Sequence, residues 1–159
     1  MDLELLKQTK SQKLGIWSVS KETLALEWID KESRLKQRYL NQGDVYLCEL
    51  GENIGHEEAK ERPVLILSDS RYNTSGLVTI APLTSTIKLV ENVKDRKSPK
   101  IKTHYVLRKE KYHFLKNDST VLVENVRTIS VIRLNSYKGQ IEEGDIAAIK
   151  NRLKTLFGI

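Results

Sequence analysis

The chain reads as a mainly β protein with helices, an α+β class in which a small half-open β-barrel carries an N-terminal helical extension and a C-terminal helix. Three observations predict it. Short apolar runs rich in β-branched residues recur from Val45 onward, turn-forming stretches separate them, and helical periodicity is confined to the two ends. The 159 residues give room for one domain with an appendage. We divide them into a helical extension, residues 1–41, and a core domain, residues 42–159.

In the extension, Leu24, Trp28, Leu35 and Tyr39 recur at spacings of four, seven and four, along one face of a helix whose other positions are filled by charges. Ser20, with Val19 before it and Thr23 after it, is the candidate start of that helix. Leu3, Leu5 and Leu6 predict a shorter helix before it, ending near Gly15. From Gln42 the period changes. The spans 45–50, 64–67, 77–82, 104–107 and 121–126 have the length and composition of strands. Between them stand Gly51, Asn53 and Gly55, then Asn73, Ser75 and Gly76, then Asn92, Asp95 and Pro99, then Asn117 and Asp118, which is turn chemistry. In the span 144–157, Ile146, Ile149, Leu153 and Leu156 line one face of a closing helix.

Lys and Arg outnumber Asp and Glu by 27 to 21, a formal charge of +6 that favours a polyanionic partner. No apolar run approaches the roughly 20 residues of a membrane helix, and the N-terminus lacks a signal-peptide pattern, so a cytoplasmic protein without membrane contact is expected. The single cysteine, Cys48, excludes an internal disulfide framework. His56-Glu57-Glu58-Ala59-Lys60 begins like a zinc-protease motif but has Lys at its fifth position, and the three histidines are far apart, so neither a metal nor another cofactor is expected. Gly51 and Gly55 are not followed by the Gly-Lys-Ser/Thr of a phosphate loop.

What remains is a loop that ends at Arg62-Pro63, directly before the apolar run Val64-Leu65-Ile66-Leu67, and the hydroxyls Thr84, Ser85 and Thr86 after another strand. A loop held by such a scaffold is a common functional site, although solvated arginine and strand-end hydroxyls are the plainer reading of each piece. Glu57 and Glu58 share the Arg62 loop. Glu124 lies in an apolar run, so its face is open to water or its carboxylate has a partner such as Arg127, Arg62 or a backbone donor.

Taken in order, Gly43-Asp44-Val45-Tyr46, the span 55–66 around Arg62-Pro63, Asn73, Ala81-Pro82-Leu83-Thr84-Ser85, Thr103-His104 and Val123-Glu124-Asn125-Val126-Arg127-Thr128-Ile129 resemble the MazF/PemK/Kid family of type II toxin-antitoxin ribonucleases. The resemblance implies an SH3-like half-open barrel of the CcdB-MazF type, a homodimer, a separate antitoxin protein as partner, and no cofactor. It implies metal-independent cleavage of single-stranded RNA, in which the ribose 2′-OH attacks the adjacent phosphorus to give a 2′,3′-cyclic phosphate and a 5′-OH, so that DNA binds without being cut. Arg62 matches the family's catalytic arginine and Thr84 its active-site hydroxyl, with Glu57, or secondly Glu124, as candidate proton acceptor. Ser85, Asn73, His104, Lys97, Lys100 and Arg127 are the candidate RNA contacts. Glu58 departs from the usual Gln, and the basic stretch between Ile87 and His104 is longer than in many relatives.

Two alternatives stay open. One is a non-cleaving toxin or regulator on the same fold, such as a CcdB-like gyrase inhibitor or a nucleic-acid-binding protein. The other concerns the extension, which either packs on its own barrel or acts as a fused inhibitor or oligomerisation arm.

Overall fold

A computed structural model describes residues 2–91 and 97–159, with Glu91 and Lys97 described in backbone only. One helix, α1 (Leu3–Lys36), precedes the sheet. The strands are β1 (Asp44–Glu49), β2 (Glu61–Ile66), β3 (Leu77–Thr84), β4 (Leu89–Glu91), β5 (Lys97–Pro99), β6 (His104–Leu107), β7 (Ser119–Leu122), β8 (Arg127–Ser130) and β9 (Leu134–Gln140), and α2 (Glu143–Phe157) closes the chain. The expected α+β class is observed. An antiparallel sheet runs β6-β7-β3-β2-β1-β9, with β8 on the first half of β3 and β7 on its end. The path has two ends, so the sheet is bent but not closed.

Side chains alternate across this sheet with the period of two that strands impose. Tyr46, Cys48, Leu50, Val64 and Ile66 join one core, which Leu35 and Trp28 of α1 cover. Val45, Leu65, Leu67 and Ala81 join a second core, which Ile149, Ile146, Leu153 and Leu156 of α2 cover. The unbroken apolar run in β2 follows directly, since a strand covered on both sides has no polar face to show.

Four sequence expectations need correction. The extension is a single 34-residue helix, capped by the Asp2 side chain on Glu4 N at 3.0 Å, and neither Gly15 nor Ser20 interrupts it. Gly15 is exposed and tolerable mid-helix at about 1 kcal/mol, which tertiary docking of the flanking turns outweighs. Tyr39 falls beyond the helix end and is 80% exposed, while Leu40, 2% exposed, is buried instead. The fifth predicted strand stops at Leu122 and turns through a single 3₁₀ turn, Val123–Asn125. Strands β8 and β9, and the β4–β5 hairpin within the basic stretch, were not legible as strands; Asn92 and Asp95 lie outside the described residues.

The helix docks through two tryptophans. A Cβ on Gly51 would lie 2.3 Å from the Trp17 ring, and one on Gly76 would lie 2.4 Å from the Trp28 ring. Both glycines also have left-handed φ, +82° and +84°, so no side chain fits either the backbone or the space. Arg133 stacks on Trp17 at 5.3 Å and donates to Glu49 O at 3.2 Å.

Candidate active site

Arg62 is the second residue of β2, where Cys48 is its partner on β1. Between β2 and β3, Val64 pairs with Pro82 and Leu65 with Ala81, and the same register carried outward sets Arg62 opposite Thr84. Thr84 is itself held from the other side by Thr120 of β7. A cleft of about 510 Å³ opens there. Arg62, Thr84 and Ser85 line it together with Lys60, Lys116 and Lys138.

The arginine is anchored by one nitrogen. Its Nε donates to Ala59 O at 2.8 Å and faces Glu58 Oε2 at 2.8 Å. Among the described residues neither terminal amino group donates a hydrogen bond, so the two-pronged end of the guanidinium is left for a ligand. Thr84 Oγ1 accepts from Thr86 N at 3.2 Å, which occupies a lone pair and leaves its proton to donate. Cys48 behind Arg62 is fully buried, and burial pushes its thiol up to about 12, so it supplies no nucleophile.

The other sequence candidates divide by location. Glu57 lies in the loop that Arg62 grips, but it lines a neighbouring cleft of about 290 Å³ with Glu58, Glu124 and Arg127. Its exposed carboxylate accepts a long hydrogen bond from Ile54 N at 3.4 Å. Glu124 does have a partner, though neither Arg127 nor Arg62: His104 Nε2 at 2.5 Å and Thr103 Oγ1 at 3.0 Å meet its two oxygens. His104 is 6% exposed and Asn73 3%, and neither lines the Arg62 cleft. Asn73 Nδ2 donates to Leu40 O at 3.0 Å and Ser68 O at 3.3 Å, and Asn73 Oδ1 accepts from Ser68 Oγ at 2.5 Å, fastening the α1–β1 connection to the loop before β3. Lys100 is exposed beside the β4–β5 hairpin, its N–H donating to Lys88 O at 2.9 Å. The Lys97 side chain lies outside the described residues.

Lys116 and Lys138 are the basic cleft residues that sequence reading did not single out. Lys138 sits on β9, whose Asn-Ser-Tyr-Lys-Gly-Gln reads as loop, and Lys116 precedes the Asn117–Asp118 turn. The β3–β7 pairing carries the signal for Lys116, because it draws the chain just before Ser119 toward Thr84. Among the described residues no three His, Cys, Asp or Glu side chains gather as metal ligands, and no helix is long and apolar enough to cross a membrane.

A family model for the PemK-like, MazF-like toxin of type II toxin-antitoxin systems matches residues 41–157. The endoribonuclease MazF of Staphylococcus epidermidis is 31% identical over 121 residues, covering 76% of this chain and 92% of that protein. The crystal structure of MazF from Deinococcus radiodurans aligns with a TM-score of 0.62 at 22% identity, over 77% of this chain and 100% of that one. A mycobacterial endoribonuclease in complex with its cognate antitoxin aligns with a TM-score of 0.56 at 24% identity, over 76% and 96%. These structural likenesses are likenesses of fold.

Proposed function

The chain belongs to the PemK-like, MazF-like toxins of type II toxin-antitoxin systems, and from that premise we propose that it cuts single-stranded RNA, mRNA above all, in the Arg62 cleft. One observation carries the reading: a guanidinium anchored through Nε, whose terminal amino groups donate to none of the described residues, stands across from a threonine hydroxyl in a cleft edged by lysines.

That arrangement suits a phosphodiester. The terminal amino groups of Arg62 grip two phosphate oxygens and stabilise the charge that grows as the ribose 2′ oxygen bonds to phosphorus. Thr84 donates to a further oxygen. The bond to the 5′ oxygen breaks, leaving a 2′,3′-cyclic phosphate on one fragment and, once that oxygen is protonated, a 5′-OH on the other. Arginine holds its proton too tightly to act as base, so the 2′-OH proton goes to a carboxylate. Glu57 is our choice, because its loop is the one Arg62 holds and its exposed carboxylate, held by a long 3.4 Å bond from Ile54 N, lies in the cleft adjoining that of Arg62. Ser85, Lys116 and Lys138 hold flanking phosphates, Arg127 of the neighbouring cleft a further one, and Lys97 and Lys100 are additional candidate contacts. Asn73 and His104 serve through the frame they fasten.

We further read the bent sheet as the SH3-like half-open barrel of the CcdB-MazF type, with 42–159 as the toxin domain, a homodimer as its working form, a separate antitoxin chain as its inhibitor and the cytoplasm as its place of action. The test uses purified full-length protein, labelled single-stranded RNA and EDTA. The wild type is expected to release fragments ending in cyclic phosphate, and Arg62→Ala to slow release by about 10²–10³-fold. Arg62→Lys should recover little, since an ammonium lacks the fork. Intact RNA alongside a fall in gyrase activity would move the reading to a CcdB-like inhibitor.

A further inference from the structure

We propose that α1 is a clamp on the active-site loop, in which Lys10 and Trp17 are positioning residues that hold residues 51–60 beside Arg62. The inference rests on the nuclease reading above and extends it to a part of the chain outside the family match, which begins at residue 41.

The loop is tied at two levels. At its neck Leu50 N donates to Lys60 O at 2.9 Å and Lys60 N to Gly51 O at 2.6 Å, with Lys60 at a left-handed φ of +66°. Trp17 lies on Gly51 at this neck, and the Arg133 guanidinium stacks over the indole. Toward the tip, Lys10 Nζ meets Glu52 Oε1 at 2.5 Å and also donates to Asn53 O. Asn53 carries the restraint across the loop, its Nδ2 donating to Leu50 O at 3.2 Å and to Glu58 O at 2.6 Å. The next carbonyl, that of Ala59, is the one that receives Arg62 Nε.

A continuous path therefore runs from Lys10 through Asn53 and the Glu58–Ala59 backbone to the guanidinium. Without the ammonium, the 52–58 segment is held by its internal contacts, its neck and the Glu58–Arg62 pair, and its 52–53 end loses its tie to the helix. The guanidinium then loses a fixed anchor, and a displacement near 1 Å is enough to cost a catalytic arrangement heavily. Lys116 and Lys138 line the cleft from outside residues 51–60, so RNA capture should survive. The helix does not enter the cleft itself, since no residue of α1 lines it, which separates positioning from blockade.

The test compares full-length wild type, Lys10→Met, Lys10→Arg and Trp17→Ala, with Arg62→Ala as the inactive reference. RNA cleavage and amide hydrogen exchange over 51–60 are both read. Lys10→Met should lower kcat about tenfold with KM within twofold, accelerate exchange in 52–58 and leave exchange in β2 and β3 unchanged. Lys10→Arg, which keeps the cation, should restore both readouts to within about threefold. Trp17→Ala should reproduce the exchange change at Gly51 and Glu52. Wild-type kcat in Lys10→Met would overturn the clamp, as would a loss spread equally over kcat, KM and global melting. If the wild type cuts no RNA, the nuclease reading falls, and unaltered exchange at 52–58 in Lys10→Met would separately remove the clamp.

Discussion

Arg62 and Glu58 form an ion pair at 2.8 Å with side chains 33% and 20% exposed, so substrate meets a cation already partly neutralised. Phosphate and carboxylate compete for one guanidinium. Partly exposed pairs of this kind contribute about 0.2–1 kcal/mol. Removing the charge with Glu58→Gln should therefore tighten RNA binding roughly two- to fivefold, measured by fluorescence anisotropy at fixed salt; weaker binding would show that Glu58 orients Arg62 rather than opposing the phosphate. The candidate site was partly legible at this scale. Arg62 and Thr84 were readable because their neighbours fix them, a Pro and an apolar run after one, a strand end before the other. His104 was not, since nothing local distinguishes an imidazole aimed at RNA from one buried against Glu124, 20 residues away in sequence.

Among elements, α2 is fastened at its first turn by a polar cluster. Asp145 accepts from Lys111 Nζ at 2.8 Å, from Tyr105 Oη at 2.5 Å and from Tyr112 Oη, while Tyr112 Oη accepts from Glu142 N at 3.0 Å. Burial opposes the Asp145 charge, but those donors together outweigh it and hold its pKa below 3.8. Because the folded value is depressed, the stability it contributes is complete above about pH 4 and is lost as pH falls through that folded value. Asp145→Asn should cost about 2 kcal/mol at pH 7, a Tm lower by roughly 4–8 °C, and the gap to wild type should shrink in melts below pH 4. The strands were legible where both faces are covered, as in β2. They were hidden where one face meets water and no apolar residues mark it, as in β9, which is ordered by its pairing with β1 rather than by its own composition. The single helix was hidden for a related reason, since its continuity past Gly15 comes from the partners of Trp17 and Trp28.

Across the whole molecule, the excess of six positive charges has a place to act. Lys60, Arg62, Lys116 and Lys138 ring one cleft, and each phosphate neutralised on a single strand releases counterions with a slope near 0.7 in log affinity against log salt. Lys116→Met and Lys138→Met should each weaken RNA binding and flatten that slope by about 0.7, without changing the order of preference among RNA sequences; titrations at several salt concentrations decide it. An unchanged slope would mean that the lysines lie off the path of the strand.

The two indoles seated on Gly51 and Gly76 are eleven positions apart, three helical turns plus about 20°, or roughly 16 Å along the axis. That interval works as a vernier. Adding or deleting one residue between them would swing the second indole by about 100° and leave it facing water. Length variation in this arm is thus confined to the turns before Lys10 and to the stretch after Leu35, these two being the outermost docked residues of the helix, and the distance between the two dimples on the sheet dictates the spacing of tryptophans in a segment that shares none of the sheet's own sequence pattern.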